Sequence, residues 1–138
     1  MLQSPETQEG AEAYWYVRVL GIYHANVWLE NSQIHSASDI RKMDFLWVRW
    51  FGAEPDYHSS FHHCRLPKIG FVESTDEFAF GFVDPANVIR GAHLIPAFSI
   101  GKGTDLLPRP DSAARSPGDT EDWLNFYVNM YVTSELLL

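Results

Sequence analysis

Cysteine, basic charge and long apolar runs are all scarce in this chain, and each scarcity closes off a class of protein. A single cysteine, Cys64, excludes an internal disulfide and suits a reducing compartment. Ten Lys and Arg against eighteen Asp and Glu give a net charge of -8, and Arg41-Lys42 is the only adjacent basic pair. A protein that grips a phosphate backbone needs a concentrated basic face, so direct DNA binding is disfavoured. A basic protein partner suits this charge better. No apolar run approaches membrane-spanning length, and the opening MLQSPETQEG is polar and acidic rather than a signal peptide. The expectation is an intracellular protein with no membrane partner.

What the chain has in abundance is rings. Hydrophobic residues make up 46% and aromatics 14% of 138 residues, a length of about one domain and a composition that favours sheet. Residues 1–12 show no apolar periodicity and read as a flexible lead-in, leaving 13–138 as one domain. Tyr14 to Leu29 and Asp44 to Phe51 are the strongest strands, dense in β-branched and aromatic residues, with Gly21 and Asn26 in the first offering places for a bulge or turn. Pro67 to Val72, Glu77 to Val83 and Val88 to Pro96 read as shorter strands, the last bending at Gly91. Asp84-Pro85-Ala86-Asn87 carries a capping residue followed by proline, the signature of one helical turn. Residues 99–122 are a long loop by composition, and Trp123 to Thr133 alternates cleanly as a one-sided strand. Five to seven strands with little helix predict a mainly β fold. Its form is a small curled, partly open β-barrel with long loops and one or two short helical turns, since closure removes exposed edges.

Few constellations carry chemistry. His58, His62 and Cys64 could supply three zinc ligands from one loop, but the paired spacing of structural zinc sites is missing, and a polar loop without metal is the reading taken. Cys64 has no recognisable orienting partner or oxyanion hole, and Gly101-Lys102-Gly103-Thr104 lacks the full phosphate-loop pattern. Neither an enzyme nor a cofactor is expected. The informative stretch is FLWVRWFG, Phe45 to Gly52. As a strand it sends Phe45, Trp47, Arg49 and Phe51 to one face and Leu46, Val48 and Trp50 to the other. Either both faces are packing, or rings on one of them form a cage for a methylated ammonium.

Three pieces in order resemble a bromo-adjacent homology (BAH) domain: YVRVLGIYH at Tyr16 to His24, LWVRWFG at Leu46 to Gly52, and DEFAFGFVDPANVIRGAHLIP at Asp76 to Pro96. Together with MDFLWVRWFG, RLPKIGFV and DWLNFYVNMYV they resemble more closely a segment near the end of proteins of basidiomycete Plavaka and Kyakuja-Dileera-Zisupton-type transposons. The resemblance implies a curled β-barrel that binds proteins or chromatin and catalyses nothing. It carries Trp50 onto the family's cage tryptophan, with Trp15 or Tyr16 opposite. The family's cage tyrosines fall on Phe80, Gly81 and Phe82, so the implied cage is Trp15, Tyr16, Trp50, Phe80 and Phe82. A nuclear module that reads a histone peptide or another protein is the expected function, and docking on a longer parent polypeptide is the alternative. Trp47 is expected to pack inward and Trp50 to lie near the surface.

Overall fold

A computed structural model describes residues 1–5, 14–28, 40–59, 64–107 and 112–129. These form nine strands and one short 3-10 turn: β1 (Leu2–Gln3), β2 (Tyr14–Val27), β3 (Arg41–Ala53), β4 (Lys68–Phe71), β5 (Phe80–Val83), the turn Pro85–Asn87, β6 (His93–Pro96), β7 (Lys102–Gly103), β8 (Asp122–Trp123) and β9 (Asn125–Asn129). The protein is mainly β, a curled open half-barrel. Its strand order is β1-β2-β3-β4-β9-β6, with β5 joining β4 on the same edge of β3 and all ladders antiparallel. A separate pair, β7 with β8, lies within and just beyond the expected long loop. Among the described residues no helix is long and apolar enough to cross a membrane.

The long strand β3 is the spine of the sheet. One edge runs against β2 from Arg41 to Phe51; the other takes β5 at Leu46 to Arg49 and β4 at Phe51 to Ala53. The two short strands hand over at Trp50, whose N–H reaches the Ala79 carbonyl at 3.0 Å and whose carbonyl accepts from Val72 N–H at 3.1 Å. Val48 is 0% exposed and Arg49 1% exposed. Neighbours on a strand point to opposite sides, so both faces of β3 are sealed from water.

Each face has its own core. On the Val48 face, Leu2, Leu46, Val48 and Val83 pack with Val17, Val19, Trp50 and Val88. On the Arg49 face, Tyr16, Phe51, Ile69, Phe126 and Val128 pack with Phe71, Leu94 and Trp123. Alternation in β9 is as clean as its sequence suggests, with Phe126 and Val128 buried and the residues between them partly exposed. The helical turn also forms where it is expected. The Asp84 carboxylate accepts from Ala86 N–H at 2.8 Å, Pro85 needs no donor, and the Val88 N–H bonds Pro85 carbonyl before the chain straightens.

Three expectations need correction. The strand read over Val88 to Pro96 forms only over His93–Pro96. Residues 1–5 are not a lead-in: Leu2 pairs with Trp15, bridges Val88 and is buried, and the Met1 carbonyl accepts from Ile89 N–H at 3.1 Å. Those contacts draw the chain ahead of β6 onto β1. A two-residue strand has no period for a sequence pattern to reveal, which is why composition alone suggested a free end. The strand expected over Glu77 to Val83 begins only at Phe80, because the Asp76 carboxylate takes the Phe78 N–H at 2.8 Å and turns the chain first.

Leu2→Ala is expected to lower the unfolding free energy by about 2 kcal/mol, the cost of removing a buried leucine side chain. Urea denaturation checks it; a free lead-in would leave the midpoint unchanged.

Candidate functional site

The five cage residues do not meet in one place. The β2–β3 register puts Val17 opposite Trp50, so Trp15 lies on the Trp50 face and Tyr16 on the other. Trp15 meets Trp50 edge to face, with centroids 5.5 Å apart. The Trp50 indole also leans over Gly81, where a Cβ would come within 2.8 Å of Nε1, so only glycine admits the ring. Tyr16 is buried with Phe51 and Phe126 on the Arg49 face. Phe80 and Phe82 lie on that face too, opposite Arg49 and Trp47. Period-two alternation makes this split unavoidable, since Trp15 and Tyr16 are consecutive. Neither tryptophan of FLWVRWFG matches a simple inside or outside assignment, both being half-buried. Trp15 and Tyr16 do share a pocket of about 240 Å³ at the end of the sheet, with Tyr14, Tyr57 and Lys68. There the Lys68 ammonium rests 5.7 Å from the Tyr57 ring centre.

The cation held by the inner rings is the protein's own. The Arg49 guanidinium sits 4.6 Å from the Phe80 ring centre and 5.3 Å from that of Phe71, and Phe80 in turn stacks on Trp47 at 6.1 Å. Directly opposite on β2, Arg18 lies 5.3 Å from the Phe126 ring centre and 6.0 Å from that of Phe71. Arg49 Nη2 donates to the Val72 carbonyl at 2.7 Å, while its buried Nε and Nη1 have no hydrogen-bond partner among the described residues. Burial pushes both guanidinium pKa values down, opposed by the charge of Asp122. Asp122 is itself buried and takes two hydrogen bonds from Arg115, which push the Arg115 pKa up.

A strap at residues 112–119 brings Arg115 to this place. In β2 the register shifts between Val19 and Gly21, a bulge at Leu20. The Leu20 carbonyl accepts from Ala113 N–H at 3.0 Å, and Arg18 Nη1 reaches the Ala114 carbonyl at 3.5 Å. The same bulge sets Tyr23 opposite Phe45. Their rings stack at 5.7 Å, and Phe82 meets Phe45 edge-on at 5.5 Å. Tyr23 is 48% and Phe82 72% exposed, so these rings form an open aromatic surface. Sequence reasoning singled out Phe82 but missed Tyr23: Gly21 marks a place where a bulge can fall, but not which residues the bulge sets opposite one another.

In the loop proposed for zinc, His58 and Cys64 are both exposed, and His62 lies outside the described residues. Among the described residues no three His, Cys, Asp or Glu side chains gather as metal ligands. No family model, curated protein or solved structure matches this chain.

Asp122→Asn removes the buried carboxylate that pairs with Arg115 and opposes the lowered pKa of Arg18 and Arg49, and is expected to cost about 3 kcal/mol, typical for orphaning a buried charge. Thermal and urea unfolding measure it. Stability unchanged from the parent protein would mean that the arginines are neutralised elsewhere.

Proposed function

We propose that this domain is a non-catalytic interaction module that binds a basic segment of another protein, a histone tail above all, on its exposed rings. The observation that carries this reading is the open cluster of Tyr23, Phe45 and Phe82 on a domain of net charge -8. Exposed ring faces attract ammonium groups, and methylation adds apolar contact while keeping the positive charge. An acidic surface draws a basic peptide toward them. The curled half-barrel is the fold that the BAH resemblance implies, and it supports the same reading. Of the ten Lys and Arg side chains, Arg18, Arg49 and Arg115 are drawn inward, so still fewer remain for a nucleic-acid backbone. A nuclear setting and an origin in a fungal transposon protein belong to this proposal and rest on the motif residues alone.

Docking on a longer parent polypeptide is the second reading. Exposed Phe98 and Ile100, just after strand β6 at one end of the sheet, favour it.

Titrating the domain with methylated and unmodified histone-tail peptides, read by fluorescence anisotropy, tests the first reading. Phe82→Ala should weaken methyl-dependent binding by about ten-fold, the loss of one ring from a cation site, with an unchanged melting temperature. Equal binding by the Tyr23→Ala/Phe82→Ala variant would remove the aromatic surface from consideration. Silence across the peptides together with self-association suppressed by Phe98→Ser would favour docking.

A further inference from the structure

The spine strand β3 is paired on both edges over only part of its length. β2 accompanies it down to Arg41, whereas β5 stops where Val83 stands opposite Leu46, and the chain then leaves the ladder at Asp84 to form the 3-10 turn. Among the described residues no strand pairs with Arg41 to Phe45 on that edge. Together with Tyr23 to Val27 this stretch makes a two-stranded arm, on which Tyr23 is exposed and Met43 is 55% exposed. An unpaired edge of this kind is a template for another strand.

The phase of the edge follows from Trp50, which sends its N–H to Ala79 and its carbonyl to Val72 on the β5 and β4 side. Alternation gives Val48, Leu46, Asp44 and Lys42 the same direction. The free backbone groups of the arm on this edge are therefore those of Lys42 and Asp44. A second copy of β3 can meet them in a two-fold antiparallel pairing, but few registers match donors to acceptors. A centre at Lys42 sets two lysines opposite each other, and a centre at Asp44 sets two aspartates opposite and needs Leu46 groups that Val83 already holds. A centre at Met43 has neither fault. Lys42 of each copy then faces Asp44 of the other, so backbone bonds and unlike charges coincide.

The fit extends to both ends. Lys42 and Asp44 already attract along one strand at 3.6 Å and are exposed, leaving them free to share a second counter-charge. β3 begins at Arg41, so an incoming strand ends opposite Phe45, just where the pairing with β5 takes over at Leu46. Its Arg41 stands over the Phe45 position and beside Asp84, contacts that favour a cation. Residues 21–27 on the other edge of the arm hold no Asp, Glu, Lys or Arg, so no such charge pattern sets a register there.

We infer that two copies of this chain associate edge to edge through Arg41 to Phe45 of β3, antiparallel, with Met43 at the two-fold axis. Their sheets join into one, and Met43 packs against Met43 of the second copy. A two-fold axis normal to the sheet keeps both Tyr23, Phe45 and Phe82 groups on the same face of the joined sheet. The inference goes beyond the peptide-binding reading and does not rest on it, because Lys42 and Asp44 set the pairing from the opposite face.

Sedimentation velocity over a concentration series tests it, in about 0.15 M salt to screen the repulsion between two chains of net charge -8. The expected result is a reversible monomer–dimer equilibrium. Lys42→Asp and Asp44→Lys should each weaken it about ten-fold, since the symmetry counts every reversal twice, and both should melt like the parent because the side chains are exposed. An equal mixture of these two variants should form a heterodimer, and the double variant Lys42→Asp/Asp44→Lys should dimerise like the parent. Phe98→Ser, beside the far edge strand β6, should leave the dimer intact. A parent chain that stays monomeric up to about 1 mM would overturn the inference, as would a dimer indifferent to both single reversals. So would weakening without rescue in the mixture and the double variant, or a dimer lost with Phe98→Ser. Peptide binding is read separately through Phe82→Ala, so the two readings fail independently.

Discussion

Two arginines facing each other across the centre of a small sheet are the constraint around which the rest is arranged. Arg18 and Arg49 occupy opposed positions on the inner strands, where a hydrophobic pair would otherwise be expected. Their charge must be met, and the chain meets it in layers. Phe71, Phe80 and Phe126 supply ring faces, the Val72 and Ala114 carbonyls accept hydrogen bonds, and Asp122 contributes negative charge. Asp122 can do so only because the chain beyond β7 returns over this face, and the Arg115–Asp122 pair fastens that return.

The bulge at Leu20 links this buried arrangement to the surface. By breaking the β2–β3 register it leaves a carbonyl for the strap at Ala113 and brings Tyr23 opposite Phe45. Gly21 permits it, since a Cβ there would stand 2.4 Å from the Tyr23 ring. One irregular residue thus decides both how the arginines are covered and where rings reach solvent. An aromatic face that is continuous along β3 is thereby divided, with Arg49 buried, Trp47 half-buried and the rings of Tyr23 and Phe82 open to solvent beside Phe45.

This division shapes the proposed function. The inner rings already hold a cation, so any methylated ammonium from a partner must be met by the outer group or by the pocket near Trp15 and Tyr57.

Pattern and composition in Tyr14 to Leu29, Asp44 to Phe51 and Trp123 to Thr133 were enough to mark three strands, which form over Tyr14–Val27, Arg41–Ala53 and Asn125–Asn129, and Asp84-Pro85 was enough to specify the helical turn, because those signals are local. The two possible faces of FLWVRWFG were also legible, since alternation lists which residues travel together. Which residue on β2 stands opposite which on β3 was not legible. Register depends on turn geometry and on a bulge; Gly21 in YVRVLGIYH marks where a bulge can fall but not which pairing results. For that reason Trp15, Tyr16, Trp50, Phe80 and Phe82 could be named as rings but not placed as a cage. The partner of Arg49 was beyond local reading for the same reason: Asp122 lies 73 positions away in a loop whose composition looks like solvent-exposed connection. Alternation and capping are properties of neighbouring residues and are written in the sequence itself. The meeting of Arg18, Arg49 and Asp122 depends on how distant strands close around one another, and only the tertiary structure decided it.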